Sequence, residues 1–312
     1  MANSYGLPDY NFQSHFVTLP EGNIHYVDEG SGPIILMLHG NPTWSYLYRH
    51  LINSLKGNYR CIALDHLGMG LSDKPADVDY SVAAHIRRLT DFIEALDLDA
   101  VTLVVQDWGG PIGLNWAANH KEKVKRLVIL NTVAFPVENN QFPLSPKNIL
   151  AASALASLKA PLLGELLVQG LNGFVRLGIP FGTAKKESRT SKKFQGYIYP
   201  YPTYQSRKAI LQFPREIPLT KSHKNWQLLA NLESNLSGWQ IPSLIIWGMQ
   251  DAVMSFSFAE KFASMLPNTK KVVKLENAGH FLQEDCPEEI TEEIESFMAK
   301  TSEEQLKMAG HL

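Results

Sequence analysis

Val101-Thr102-Leu103-Val104-Val105-Gln106-Asp107-Trp108-Gly109-Gly110-Pro111 decides how the rest of this 312-residue chain is read. A run of β-branched and apolar residues stops at a polar pair, and two glycines and a proline then open a helix-like stretch. A strand that turns this sharply into a helix projects the middle residue of Val105-Gln106-Asp107-Trp108-Gly109 away from the sheet. Serine usually stands at that position and must lose a proton before it attacks. A carboxyl group is already an anion at neutral pH and suits attack on a saturated carbon.

Outward from this turn, short β-rich runs alternate with longer amphipathic stretches. The runs are Pro33 to Leu38, Tyr59 to Leu64, Arg126 to Leu130, Ser243 to Trp247 and Lys271 to Leu275. The pattern predicts an α/β fold whose mostly parallel, buried sheet is flanked by helices. Asn23 to Asp28 reads as an additional early strand, and Ser81 to Leu96 has helical spacing with a serine at its start. Each run ends in a polar or glycine-containing turn, and in such sheets the turns after the strands share the face where ligands bind.

Between Phe135 and Pro218 the alternation breaks down into Ala-rich, Gly-rich and Tyr-rich segments. The expected organisation is a core domain from 1–134 and 219–312, with 135–218 inserted as a helical cap that covers the catalytic face and excludes water. The tail after Lys300 is polar and is expected to fray.

The hydrophobic fraction of 45% is that of a globular chain. Lys plus Arg total 29 against 31 Asp plus Glu, a net charge of −2, which argues against a nucleic-acid partner. Cys61 and Cys286 are too few for a disulfide framework or a cysteine-built zinc site, and read as free thiols in a reducing cytoplasm. The N-terminus lacks a basic start and an apolar run, and no apolar stretch reaches the roughly 18 to 20 residues of a membrane span.

Asp107, Asp251 and His280 follow the chain order nucleophile, acid, histidine associated with this kind of turn. His280 ends Asn277-Ala278-Gly279-His280, where a flexible glycine is expected to let the imidazole swing toward the turn. Asp251 follows the Ser243 to Trp247 run, where it could fix the imidazole tautomer or simply cap an Asx turn. His39-Gly40-Asn41-Pro42 follows the first long run, at the position that supplies one backbone N–H of an oxyanion hole, and Trp108 supplies the other. Asn41 and Trp108 also carry side-chain N–H donors, suited to a departing anion. The plainer reading makes Trp108 core and Asn41 a turn residue.

His39-Gly40-Asn41-Pro42-Thr43-Trp44-Ser45-Tyr46-Leu47, Asp65-His66-Leu67-Gly68-Met69-Gly70-Leu71-Ser72-Asp73-Lys74-Pro75, Gln106-Asp107-Trp108-Gly109-Gly110 and Phe213-Pro214-Arg215-Glu216-Ile217-Pro218 together resemble the haloalkane dehalogenase family, from about Phe12 to Met298. The resemblance implies an α/β-hydrolase fold and hydrolysis of a carbon–halogen bond to alcohol, halide and proton, with no cofactor and no metal. It implies Asp107 as nucleophile, His280 as base, and Asn41 with Trp108 as the halide-binding pair. The partners implied are a small hydrophobic halogenated substrate and a halide ion, on a monomer or homodimer.

Many members carry the catalytic acid as a glutamate directly after the strand corresponding to Arg126 to Leu130, where this chain has Asn131. The acid then falls to Asp251, as in the subgroup with an Asp-His-Asp triad and an Asn-Trp halide pair. That subgroup also contains proteins resembling β-lactone decarboxylases of hydrocarbon synthesis. An epoxide hydrolase would use the same triad with two cap tyrosines, for which Tyr197, Tyr199, Tyr201 and Tyr204 are available. Asn41 stands against that reading, because epoxide hydrolases generally look like His-Gly-Phe-Pro there. A binding protein that had lost catalysis should show a broken triad, and all three members are present.

Overall fold

The computed structural model describes residues 5–137, 146–185 and 191–308. Among the described residues, the apolar runs form eight strands: β1 Ser14–Leu19, β2 Gly22–Glu29, β3 Ile34–Leu38, β4 Arg60–Leu64, β5 Val101–Asp107, β6 Val124–Thr132, β7 Ser243–Gly248 and β8 Thr269–Leu275. They make one sheet in the order β1-β2-β4-β3-β5-β6-β7-β8, antiparallel where β1 meets β2 and β2 meets β4, and parallel from β4 onward. After β3 the chain adds β4 on one side and β5 on the other. The sheet therefore reverses direction of growth between β3 and β5, and a crevice opens beyond their carboxyl ends.

The parallel strands are buried because helices cover both faces. Val101, Leu103, Val104 and Val105 of β5 are fully enclosed, each contributing roughly 1.5 to 3 kcal/mol relative to exposure. The flanking helices are α1 Arg49–Leu55, α2 Val82–Ala95 and α3 Gly109–Asn119, followed by an inserted group: α4 Pro146–Lys159, a π-helical turn Glu165–Gly170, α5 Gly173–Gly182, α6 Ser191–Ile198 and α7 Lys208–Glu216. The chain then returns through α8 Lys224–Leu236, α9 Phe256–Met265, α10 Leu282–Asp285 and α11 Pro287–Met308. Helix α2 starts where its sequence says it should: Ser81 accepts from the Ala84 amide at 3.3 Å, and Val82, His85, Leu89, Phe92 and Ile93 form the buried stripe.

The inserted helices lie over the loops that follow β3 and β4. Trp44 donates from Nε1 to the Gly196 carbonyl at 3.0 Å, the Gly70 amide donates to Tyr201 Oη at 3.0 Å, and Asn41 Nδ2 donates to the Ile210 carbonyl at 3.1 Å. Below them Asp65 braces the two loops, accepting from the Ser45 and Leu71 amides and from His25.

Strand β1 was not anticipated, and the chain after Lys300 continues as helix α11 as far as Met308, the last described residue. Its polar composition hides a stripe of Ile290, Ile294, Phe297, Met298 and Thr301, all buried, and the Arg126 guanidinium reaches both Thr301 and Ser302. No helix among the described residues is long and apolar enough to cross a membrane. Cys61 and Cys286 are buried and unpaired.

Candidate active site

Asp107 ends β5 with φ +49°, in the left-handed region that non-glycine residues rarely occupy. Such strain costs on the order of 1 to 3 kcal/mol and persists only when the surroundings hold it. Three neighbours do so. Thr132 donates its hydroxyl to the Asp107 carbonyl at 2.5 Å, tying the turn to β6. A Cβ on Gly109 would lie 2.1 Å from the Leu38 carbonyl, and one on Gly110 would lie 1.8 Å from Thr132 Oγ1, so only glycines let α3 start this close to the sheet. Gly40 is constrained in the same way, since its Cβ would meet Asp107 Oδ1 at 2.2 Å.

The carboxylate thus held has two distinct oxygens. Oδ1 accepts the Asn41 backbone N–H at 2.7 Å, whereas Oδ2 lies 3.5 Å from His280 Nε2. The first turn of α3 begins two residues on, and its unpaired amides favour negative charge nearby.

On the other side of the imidazole, His280 Nδ1 and Asp251 Oδ2 are 2.7 Å apart, so the carboxylate fixes the hydrogen on Nδ1. Asp251 also accepts from the Val253 amide at 2.6 Å, the Met254 amide at 3.1 Å and Asn131 Nδ2 at 2.7 Å. Burial opposes its charge, but His280, Asn131 and the Val253 amide together hold this carboxyl below its ordinary range. Burial also opposes charge on His280, yet Asp251 and Asp107 overcome that and push the imidazole up to about 10. The two carboxyl groups thus favour the protonated form of the imidazole between them.

Residues distant in sequence therefore meet at the ends of β3, β5, β6, β7 and β8: Asn41, Asp107, Asn131, Asp251 and His280. Asn41 and Trp108 lean on α7 one turn apart. Asn41 bonds Ile210, and the half-buried Trp108 ring lies 5.5 Å from Phe213. One of the two Asn41 amide hydrogens is thereby committed to the α7 backbone.

Gly279 does not supply the swing expected of it. Its amide donates to Asp285 at 2.9 Å, and a Cβ there would lie 2.3 Å from the Gly182 carbonyl. The position serves close approach between the histidine loop and the inserted helices. Asp285 accepts as well from the Ala184 and Lys185 amides, both at 2.8 Å. Beside it the fully buried Arg49–Glu284 pair takes a hydroxyl from Tyr197.

Gln106 was passed over as the end of a strand. It is fully buried, donates to the His280 carbonyl at 3.1 Å and stands 3.2 Å from His280 Nε2. A glutamine closing a run as apolar as Val101 to Val105 was the available signal. Among the described residues, no group of three His, Cys, Asp or Glu is placed to hold a metal ion.

A carboxylate on a strained strand-to-helix turn, an acid-oriented histidine and a backbone donor on the carboxylate are the parts that a hydrolase working through a covalent ester requires. Residues 33–287 match the model of the alpha/beta hydrolase fold family. The chain is 36% identical over 295 residues to cis-3-alkyl-4-alkyloxetan-2-one decarboxylase from Shewanella oneidensis, covering 93% of this chain and 89% of that protein. It is 34% identical over 288 residues to haloalkane dehalogenase 2 of Mycobacterium tuberculosis, covering 91% and 94%. The crystal structure of an ancestral haloalkane dehalogenase superposes with a TM-score of 0.85 at 31% identity, over 92% of this chain and 99% of that one. The chain belongs to the α/β-hydrolase fold family, as a haloalkane dehalogenase-like member.

Proposed function

We propose that this chain hydrolyses the carbon–halogen bond of a small apolar haloalkane through an ester on Asp107, beneath a lid formed by 135–218. The observation that carries this reading is the asymmetry of the Asp107 carboxylate, with Oδ1 bonded to Asn41 and Oδ2 facing His280. Oδ2 attacks the carbon in line, the carbon–oxygen bond forms as the carbon–halogen bond breaks, and halide departs with the bonding pair. Asn41 and Trp108 hold that halide through the free Asn41 amide hydrogen and the indole N–H. Oδ1 becomes the ester carbonyl oxygen, already placed against the Asn41 backbone N–H that will hold the oxyanion of the second step.

Alkylation removes the negative charge of Asp107. Part of what holds the proton on His280 goes with it, and the imidazole can release that proton and act as base. It then takes a proton from water, whose oxygen adds to the ester carbonyl, and collapse of the adduct expels the alcohol and restores the carboxylate. Haloalkane and water give alcohol, halide and one proton.

Sequence likeness to the oxetanone decarboxylase at 36% identity favours a second substrate for the same carboxylate, a strained four-membered lactone whose expelled oxygen anion takes the place of halide. Purified protein offered bromobutane, dibromoethane and a long-chain cis-β-lactone decides between them, with halide and carbon dioxide as readouts. Release of neither would overturn both. Of the four cap tyrosines that an epoxide hydrolase could use, Tyr197 is bonded to Glu284 and Tyr201 to Gly70, which leaves Tyr199 and Tyr204 for that role.

A further inference from the structure

Six leucines stand in solvent along the first part of the inserted helices: Leu150, Leu162, Leu163, Leu166, Leu171 and Leu177, with Leu162 83% and Leu177 73% exposed. Leu162 has φ +65°, a backbone conformation that disfavours any residue with a Cβ. Strain held with so little burial to offset it marks a surface kept for something outside the chain. The π-helical turn and α5, which carry Leu166 and Leu177 with Leu171 between them, pack on each other.

The same helices are cationic. Nine Lys or Arg stand against two Glu over 146–185 and 191–218, whereas outside 135–218 the balance is 18 Lys or Arg against 27 Asp or Glu. Glu165 is paired with Arg215, one of the nine, at 2.8 Å, and Glu216 with Lys224, which lies beyond the inserted helices, at 3.0 Å. Arg207 is anchored on the Gln169 and Gly170 carbonyls at the end of the π turn, close enough to Arg176 to feel its charge. Leu171 and Leu177 bracket Arg176 in sequence, and all three are exposed.

We infer that this outer face of the inserted helices docks on a lipid bilayer bearing anionic headgroups, with the leucines entering the interface and the arginines and lysines meeting phosphate. Projecting leucines beside fixed cations are the chemistry of interfacial binding, in which apolar burial and attraction to anionic lipid add together. A two-fold contact with a second copy would instead bring these cations face to face with themselves. The inference goes beyond the proposed reaction and does not depend on which bond is cut.

The test is co-sedimentation of the full chain with vesicles of phosphatidylcholine alone and of phosphatidylcholine mixed with phosphatidylglycerol. The expected result is about tenfold stronger partition to the anionic vesicles, weakened by salt. The double variant Leu162→Glu, Leu177→Glu should lose at least about tenfold of it, and Arg176→Glu should lose part. Both leucines are exposed, so thermal melts of the variants should match the parent and separate lost docking from lost folding. Equal partition to both vesicles, no partition to either, or docking unchanged in the double variant overturns the inference. Self-association abolished by the double variant, with no vesicle binding, also overturns it and makes the face a contact between copies.

Discussion

Asn131 joins Asp251 to the end of β7: its Nδ2 donates to Asp251 Oδ2 at 2.7 Å while its Oδ1 accepts the Gly248 amide at 2.7 Å. One side chain thereby fixes the carboxylate and the turn that carries it. Asn131→Leu should leave a buried Gly248 N–H without a partner, at about 1 to 3 kcal/mol of stability. It should also slow ester hydrolysis about ten- to a hundredfold by loosening the acid that orients His280, with little effect on ester formation. Single-turnover kinetics resolve the two steps, and equal slowing of both would remove the positioning role.

His280 is needed only for the second step of the proposed reaction. His280→Phe should release one equivalent of halide and stop, leaving an alkyl mass on the peptide that contains Asp107. Tryptic mapping by mass spectrometry reads it directly, and halide release without an adduct would dismiss Asp107 as the attacking group.

The charge on His280 sets the timing of proton release. In the free protein its titration is raised to about 10, so it carries a proton at neutral pH. Conversion of Asp107 to an ester removes one of the two carboxylates that hold this proton. Stopped-flow with a pH indicator should therefore show a proton burst together with the halide burst, ahead of alcohol. Protons that appear only with alcohol would contradict this sequence.

His85 points to acid sensitivity of the fold. Both ring nitrogens are buried without partners, the ring stacks on Phe213 at 5.0 Å, and burial with Arg88 nearby lowers its pKa from 6.5 to about 3. Below pH 6.5 the unfolded chain binds a proton there that the native state refuses until about 3. The depressed value thus gives stability that is present above the unfolded pKa and lost as pH falls, at up to about 1.4 kcal/mol per pH unit. His85→Phe should flatten part of this slope, raising Tm more at mildly acidic than at neutral pH. Equal shifts at both would assign the gain to packing alone.

Gly40→Ala should abolish turnover by at least about a hundredfold, because the new methyl would overlap Asp107 Oδ1 and displace the carboxylate from Asn41. Circular dichroism should still report the parent sheet and helices, and retained activity would show that the loop after β3 moves freely.

The parallel strands and the meeting of Asp107, Asp251 and His280 were legible because each rests on a local signal: a continuous apolar run buried on both faces, or a polar residue in the turn after one. Strand β1 left no such trace, since it pairs along one edge only and Phe16 at its centre is 54% exposed. The last helix was masked by glutamates and lysines that interrupt its buried stripe of Ile290, Ile294, Phe297, Met298 and Thr301. Glu284 and Asp285 could not be assigned from sequence, because their partners are backbone groups and side chains brought near by the topology. Gly279 misled for the same reason, its constraint being a neighbour on a different element.

Asp285 ties three amides to one carboxylate, two from the exit of α5 and one from the residue before His280. That carboxylate is a common peg for the roof and the base. The stretch that leaves α5 and the stretch that aims the imidazole are thereby moored at one point.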